Sequence, residues 1–346
     1  MRRHSKSYNF IGDAEKGVTV RWGRTLREDP KRAPWPELAD ISISNKCSKG
    51  CGHCYRDSSP DGGLMSLEDY RFVLDELTDE RWGSVFQVAI GGGEPLEHPD
   101  FVAMVEETRS RGIVPNFTTN GKFATEELAE LLAGVMGAAA VSVSGFSTEE
   151  LRGARILSSG GLRTNLHFIL SSESLAVARA FLEGRFDAEL SGINAVVFLT
   201  YKRAGRARAP LWLGNGPELD GFLSAVEAPR TALSFGFDAC FAPILIRSTG
   251  LDARVFDSCE CAFFSVYIDE RLRVRPCSFS NGSSTCFDLR EHSFREVWER
   301  GFEEYREKML SSPCALLCEL GESCRGACPV FPELALCADH RRESYE

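Results

Sequence analysis

Three thiols lie in one short stretch, Cys47-Ser48-Lys49-Gly50-Cys51-Gly52-His53-Cys54, and no further cysteine follows until Cys240. This Cys-x3-Cys-x2-Cys spacing provides three thiolates, whereas a [4Fe–4S] cluster has four irons to ligate. Three local ligands would leave one iron open to another molecule, as a catalytic zinc site keeps one position free for chemistry. Taken alone, the stretch leaves two other interpretations open. The cysteines could form part of a zinc site, or they could be reduced thiols in a loop.

An alternating apolar and polar run, Leu38 to Ser44, precedes the cysteines and predicts a β-strand. Barrel enzymes place their chemistry in loops at the C-terminal ends of strands, where these cysteines would lie. Strand and helix patterns then alternate, with expected strands at 38–44, 85–90, 113–119, 138–144, 164–170 and 193–200. Six such units predict an α/β fold with a parallel sheet, a (β/α)6 partial TIM barrel rather than eight closed units.

A glycine-rich turn, Gly91-Gly92-Gly93-Glu94-Pro95, follows the second predicted strand. Glycines let a backbone approach a ligand closely, and the carboxylate of Glu94 can balance a cationic group. Together with the cysteine triplet, this turn resembles the radical S-adenosylmethionine (radical SAM) family. The resemblance implies that Cys47, Cys51 and Cys54 hold a [4Fe–4S] cluster whose open iron is chelated by SAM. It also implies that the Gly91, Gly92, Gly93, Glu94 and Pro95 turn faces the methionine part of SAM.

Other positions are assigned to SAM binding by the same resemblance. His53 stands where the family usually has an aromatic residue, and Asn120 belongs to a segment resembling its "TNG" strand end. Ser142 matches the family's serine and would bind the SAM ribose or carboxylate, while Ser144 replaces the family's aspartate. Phe198 lies in a segment resembling the one that lines the adenine, although an ordinary buried strand explains that segment equally well.

Two further features have ordinary structural explanations. His167 on the fifth strand could face the barrel cavity, but a hydrogen-bonded core histidine is the favoured interpretation. Residues 201–208, which include Lys202, Arg203, Arg206 and Arg208, form a basic segment after the sixth strand. A solvated loop is the default explanation for it, and a surface that holds a carboxylate or an acidic peptide is the alternative.

Composition limits the class of protein. The 346 residues include thirteen cysteines, and no apolar run approaches the roughly 20 residues of a membrane span. The basic start has no apolar segment behind it, so we expect no signal peptide, no membrane association and a cytoplasmic location. In that compartment cysteines bind metals or clusters more often than they form disulfides. The net charge of −10 offers no general attraction for nucleic acid.

Nine cysteines are concentrated between Cys259 and Cys337. Their spacing resembles the SPASM extension of radical SAM enzymes, which holds auxiliary [4Fe–4S] clusters, although Leu272 replaces an expected glycine and the hairpin should therefore turn differently. The resemblance assigns one cluster to Cys261, Cys277 and Cys328, with Cys259 as a candidate fourth ligand. It assigns a second cluster to Cys314, Cys318, Cys324 and Cys337, while Cys240 and Cys286 have no obvious place. A pair of zinc sites is the alternative.

The expected organisation is a cover segment (1–37), a radical SAM partial barrel (38–250) and a SPASM domain (251–346). The resemblance implies that reductive cleavage of SAM yields a 5′-deoxyadenosyl radical that modifies a ribosomally synthesised peptide by crosslinking, epimerisation or backbone excision. The alternatives are a small-molecule substrate, such as a sugar acid or nucleoside, and a non-catalytic iron–sulfur electron carrier. Expected partners are a precursor peptide, an electron donor such as flavodoxin or ferredoxin, and a separate leader-binding protein, because residues 1–37 resemble no leader-binding domain.

Overall fold

One ten-stranded sheet forms the centre of the molecule in a computed structural model, which describes residues 1–208, 210–280, 282–312, 316–320, 324 and 328–336. A separate antiparallel sheet precedes it and contains β1 (Arg2–His4), β2 (Asn9–Asp13) and β3 (Val18–Trp22). Phe10 of β2 is fully buried, and its ring centroid lies 5.6 Å from that of Phe86. The N-terminal sheet therefore packs, through an aromatic contact, beside the residue that precedes β7 of the main sheet.

The main sheet is parallel over most of its width. The other described strands are β4 (Leu38–Ser44), β5 (Thr78–Asp79), β6 (Gly83–Ser84), β7 (Gln87–Gly92), β8 (Val114–Thr119), β9 (Ala138–Val143), β10 (Thr164–Leu170), β11 (Ala195–Thr200), β12 (Ser234–Phe237), β13 (Ser265–Ile268), β14 (Arg273–Arg275) and β15 (Phe287–Asp288). The order across the main sheet is β12-β11-β10-β9-β8-β7-β4-β13-β14-β15, and β5 pairs only with β6. All pairs from β12 to β13 in this order are parallel.

Helices connect the parallel strands. The described α-helices are α1 (Leu67–Glu76), α2 (Phe101–Ser110), α3 (Glu126–Ala133), α4 (Arg152–Ser159), α5 (Leu175–Leu182), α6 (Pro217–Glu227), α7 (Ala242–Ser248), α8 (Phe294–Glu296) and α9 (Glu303–Leu310). Strands β4 and β7 to β11 are each followed by a helix, which confirms the six predicted units. A seventh unit, β12 with α7, was not predicted. Among the described helices, none has the length and apolar character needed to cross a membrane.

Alternation along the strands separates an outer face from an inner face. On β10, Leu166 and Phe168 are fully buried, whereas Asn165 and His167 are half-buried. Phe198 of β11 contacts Phe181 of α5 and Phe222 of α6, with ring centroids 5.7 and 5.9 Å apart. The fully buried strand residues therefore face the helices, and the half-buried residues that alternate with them face the interior of the open barrel.

The C-terminal strands extend the sheet beyond β4. Strand β13 pairs parallel to β4, and β14 returns antiparallel to β13. Leu272, between β13 and β14, has φ of +62° and is buried. The leucine adopts the left-handed conformation that glycine favours, and the expectation of a turn different from that of the family stays a prediction. Burial of its side chain offsets the conformational strain, which costs about 1–3 kcal/mol.

Candidate active site

The three cysteines lie on the loop between β4 and α1. Cys47, Cys51 and Cys54 are all half-buried. The Ser58 N–H donates to Cys54 Sγ at 3.4 Å, and Asn120 Nδ2 lies 3.9 Å from Cys47 Sγ. Hydrogen bonds to sulfur are a means by which proteins tune iron–sulfur clusters. Three thiols with donors directed at two of them suit such a cluster, in which each thiolate binds a separate iron.

No single-ion site is formed by the described side chains. Within the described ranges, no group of three or more histidine, cysteine, aspartate or glutamate residues is arranged to hold one metal ion.

Arg206 holds the cysteine loop in place. Its Nε donates to the Cys51 carbonyl at 3.0 Å, and its Nη1 donates to the Ser58 carbonyl at 2.6 Å. Its backbone N–H donates to the Cys54 carbonyl at 2.9 Å. Gly205, with φ of +58°, allows this approach, because a Cβ there would lie 2.4 Å from the Cys54 carbonyl oxygen. This clamp joins residues far apart in the chain, so no local spacing predicts it.

The basic segment is therefore not a uniform solvated surface. Lys202 is buried and forms an ion pair with Asp238 at 2.7 Å, while Arg206 contacts the cysteine loop. Only Arg203 and Arg208 of the four basic residues are exposed. Any acidic ligand at this segment would be limited to those two side chains.

The Gly91 to Pro95 turn begins at the end of β7, next to β4. Gly92 has φ of +122°, and a Cβ there would lie 2.1 Å from the Ser44 carbonyl oxygen, so a side chain is excluded. A Cβ on Gly93 would lie 2.0 Å from the Lys46 carbonyl oxygen. Gly91 differs, because nothing lies within 4 Å of its Cβ position. The turn thus packs tightly against the cysteine loop and leaves open space at Gly91.

Glu94 braces this turn against β8. Its carboxylate is fully buried and accepts hydrogen bonds from the Thr119 hydroxyl at 2.6 Å and from the Asn120 N–H at 2.7 Å. The Leu96 N–H donates to it as well, at 3.1 Å. Burial raises the pKa of Glu94 above its usual value, and these hydrogen bonds counteract that shift. These three donors use both carboxylate oxygens to hold the turn in place, and the expectation that Glu94 balances a cationic group stays a prediction.

Asn120 connects the third strand to the cysteine loop. Its backbone N–H contacts Glu94, its Nδ2 approaches Cys47 Sγ, and its Oδ1 accepts from the Lys122 N–H at 2.9 Å. Lys122 Nζ in turn donates to the Ser48 hydroxyl at 3.3 Å. The predicted cysteine, glycine and asparagine positions are therefore next to one another in the fold. His53, by contrast, has an exposed side chain.

Polar side chains occupy the inner face of the barrel. Ser142 and His167 are half-buried neighbours in register on β9 and β10. Burial lowers the pKa of His167 to about 4, so the ring is neutral near pH 7. Burial raises the pKa of Asp40 on β4 to about 6. The favoured interpretation of His167 as a core residue was wrong, because its strand directs it towards the interior.

Phe198 does not fit the predicted adenine contact. It is fully buried among phenylalanine rings of α5, α6 and β12, on the outer face of the sheet. Val197, the half-buried neighbour, is the residue that β11 directs inward beside His167. If this segment lines the adenine, the strand register makes Val197 and not Phe198 the residue that faces it, and the segment's role itself stays a prediction.

Ser144, at the end of β9, stands where the radical SAM resemblance leads us to expect an aspartate. Its hydroxyl donates to Glu150 Oε1 at 2.5 Å, and the Ser147 hydroxyl donates to Glu150 Oε2 at 3.0 Å. A carboxylate is therefore present at this strand end, although it comes from Glu150 and not from the expected aspartate position.

Four C-terminal cysteines lie together. The Cys261 thiol makes hydrogen bonds with Cys259 and Cys277, and these raise the pKa of Cys261 and lower that of Cys277. Cys328 interacts electrostatically with Cys259 and Cys277, and buried Tyr305 interacts with all four. Four neighbouring thiols have the donor chemistry of an iron–sulfur site, and the role of Cys259 as fourth ligand stays a prediction.

The other C-terminal cysteines are only partly described. Cys318 is exposed and Cys324 is half-buried, whereas Cys314 and Cys337 lie outside the described residues. The second predicted cluster therefore stays a prediction. Cys286 accepts a hydrogen bond from Arg275 Nε at 3.3 Å. Cys240 contacts Lys202 and interacts with Cys259 and Cys328, so it lies beside the four-cysteine group.

Comparison with known proteins identifies the domain that bears this site. Residues 41–181 match the radical SAM superfamily. Mycofactocin maturase MftC of Mycobacterium tuberculosis is 25% identical, over 83% of this chain and 76% of its own length. PqqA peptide cyclase of Gluconobacter oxydans is 25% identical, over 57% of this chain and 59% of its own.

A solved structure has the same fold. Streptococcus suis SuiB bound to S-adenosylmethionine has a TM-score of 0.67 and 17% identity, covering 86% of this chain and 74% of that chain. SuiB has also been solved bound to its precursor peptide SuiA. At this identity the likeness supports the fold alone, and it confirms the predicted partial barrel.

Proposed function

Because the protein is a radical SAM enzyme, with the family's domain at residues 41–181, we propose that it modifies a ribosomally synthesised precursor peptide. The observation that supports this most is the similarity to mycofactocin maturase, which spans 83% of the chain and so extends far beyond that domain. SuiB, which shares the fold, binds a precursor peptide.

The family implies SAM and a [4Fe–4S] cluster, and the residues present fit both. Cys47, Cys51 and Cys54 would hold the cluster, and the backbone around Gly91 would contact SAM. When bound, the two supply a 5′-deoxyadenosyl radical through one-electron reductive cleavage of SAM. Glu94 keeps the glycine turn and the Asn120 loop together, and Arg206 keeps the cysteine loop ordered. The protein thus supplies position and electrostatics, and the cofactors supply the chemistry.

The inner face of the barrel would receive the substrate side chain. Asp40, Ser142 and His167 supply polar groups there, and Val197 supplies an apolar contact. Neutral His167 can accept or donate a hydrogen bond, and Asp40, with its pKa raised to about 6, can take up or release a proton near neutral pH. An extended peptide can reach this face through the open end of the sheet, where the strand-to-helix loops lie.

The C-terminal residues would hold auxiliary clusters. We assign one to Cys259, Cys261, Cys277 and Cys328, whose thiols interact with one another. The second, at Cys314, Cys318, Cys324 and Cys337, rests on the spacing of those cysteines. The division into residues 1–37, 38–250 and 251–346 belongs to the same proposal. The proposal also includes a cytoplasmic location, a flavodoxin or ferredoxin as electron donor, and a separate leader-binding protein.

The test is coexpression with a short open reading frame from the neighbouring genes, followed by mass spectrometry of the peptide. Loss of two hydrogens would indicate a crosslink, and a larger loss would indicate excision. The variant with Cys47, Cys51 and Cys54 all replaced by alanine is the control, and it should leave the peptide unmodified. An unmodified peptide, together with turnover of a sugar acid or nucleoside by the same active preparation, would contradict the proposal.

Iron content tests the auxiliary clusters separately. After anaerobic reconstitution, the triple-alanine variant should retain roughly eight irons, about four for each cluster. Zinc in place of iron, or iron near zero, would contradict the assignment.

A further inference from the structure

A buried lysine lies between the barrel and the auxiliary cysteines. The Lys202 side chain is 7% exposed, and its Nζ contacts Asp238 Oδ2 at 2.7 Å and the Thr200 carbonyl at 3.1 Å. The Thr200 hydroxyl donates to the other oxygen of Asp238 at 2.6 Å. Lys202 follows β11 and Asp238 follows β12, so the pair joins the ends of two neighbouring strands.

The ammonium group also contacts the cysteine-rich part. Lys202 Nζ lies 4.9 Å from the ring centroid of Phe279, which is two residues after Cys277. It makes a hydrogen bond with Cys240, which interacts with Cys259 and Cys328. The positive end of the ion pair thus lies on the side of the four-cysteine group, and its charge adds to the Cys261 hydrogen bond in lowering the pKa of Cys277.

The lysine keeps its charge in this environment. Burial alone would lower the pKa of a lysine, but Asp238 raises the pKa of Lys202 above its usual value. A permanent positive charge in a low-dielectric region interacts strongly with any change of charge nearby.

We propose that Lys202 raises the reduction potential of the auxiliary cluster held by Cys259, Cys261, Cys277 and Cys328. This inference rests on the proposed function, because it requires that cluster. Reduction adds one electron to the cluster and breaks no bond, so the reduced form is more negative by one charge. The Lys202 ammonium stabilises the reduced form more than the oxidised form. Charge and hydrogen bonding around a cluster are recognised determinants of its potential.

Lys202 is a positioning residue in this account, because it acts through the cluster and does not contact the reacting atoms. A purely structural ion pair would contribute to stability and leave the potential unchanged. The midpoint potential therefore separates the two roles.

The experiment uses the full chain with Cys47, Cys51 and Cys54 replaced by alanine, so that only auxiliary clusters remain. Into this background Lys202→Met and Lys202→Arg are introduced, and iron content and midpoint potentials are measured by redox titration with EPR detection. We expect Lys202→Met to shift one midpoint to a more negative value at unchanged iron content. Lys202→Arg should stay near the parent value. Arg203→Met, at the exposed neighbouring residue, is the matched control and should shift nothing.

Removing the lysine alone leaves Asp238 without its partner, which can prevent folding. The double variant Lys202→Met with Asp238→Asn removes both charges and keeps the test valid. Its midpoint should also be more negative than that of the parent. Unchanged midpoints at full iron content, in either variant, would overturn the inference. Absence of iron from the parent background would instead contradict the proposed auxiliary clusters.

Discussion

The Glu94 carboxylate accepts hydrogen bonds from both the Thr119 hydroxyl and the Asn120 backbone N–H, at 2.6 and 2.7 Å. This contact fastens the glycine turn after the second barrel strand to the end of the third. Asn120 in turn lies beside Cys47 Sγ. Glu94 therefore braces the glycine turn and the Asn120 segment beside the cysteine loop, whether or not it also contacts a ligand.

Replacing Glu94 with glutamine tests the brace. The amide retains one acceptor oxygen, so one of the two backbone N–H donors, that of Leu96 or that of Asn120, loses its partner. We expect the free energy of unfolding to fall by about 1–3 kcal/mol and 5′-deoxyadenosine formation to fall with it. Chemical denaturation and product assay measure the two effects. Glu97→Gln is the matched control, because Glu97 is half-buried and accepts one hydrogen bond, from the Ser48 N–H. If Glu94→Gln and Glu97→Gln changed stability and 5′-deoxyadenosine formation equally, the role of Glu94 as a brace would be refuted.

Alanine substitutions at Gly92 and Gly91 should have different effects, one on stability and the other on SAM binding. Gly92→Ala places a methyl group against the Ser44 carbonyl and requires an unfavourable φ, so it should cost about 2–4 kcal/mol of stability. Gly91→Ala meets open space and should leave the melting temperature unchanged. Its methyl group would occupy the space assigned to SAM, so 5′-deoxyadenosine formation should drop severalfold. Full activity of Gly91→Ala would mean that SAM does not approach this turn.

Arg206→Met should release the cysteine loop. The Cys51 and Ser58 carbonyls lose their side-chain donor, and the unclamped loop should hold its cluster less well. We expect up to about four fewer irons per chain after reconstitution, with a matching loss of 5′-deoxyadenosine. Arg208→Met, at an exposed residue of the same segment, should behave like the parent. Retention of all iron and activity by Arg206→Met would exclude the clamp.

Asp40→Asn should stabilise the protein at neutral pH. Burial raises the pKa of Asp40 from its ordinary value of 3.8 to about 6, so ionisation opposes folding. The loss of folding free energy caused by ionised Asp40 is absent below about pH 4 and grows between pH 4 and 6. Above that it reaches at most about 3 kcal/mol, because each unit of pKa shift corresponds to about 1.36 kcal/mol. Thermal unfolding across this pH range should show the variant gaining stability over the parent as pH rises. A gain independent of pH would show that Asp40 does not titrate in this way.

Local spacing predicted most of the strands and the loops at their ends. The cysteine triplet and the glycine turn are each contiguous in the sequence, so both were found from it. The Arg206 clamp was missed because it joins residues 155 positions apart along the chain. Strand β12 was missed because Ser234 and Gly236 interrupt its apolar pattern.

Orientation was harder to predict than location. Phe198 and Val197 differ by one position, and only the strand register shows which of them faces inward. His167 has no local signal that separates a core residue from one facing the interior. At Leu272 the chain shows that a buried leucine can occupy a turn position where spacing predicts glycine.

The most direct test of the account is 5′-deoxyadenosine formation by the anaerobically reconstituted enzyme with SAM and dithionite. The parent chain should produce it, and the variant with Cys47, Cys51 and Cys54 replaced by alanine should not, although it retains its auxiliary iron. Equal production by the two proteins would contradict the assignment of SAM cleavage to this cysteine loop.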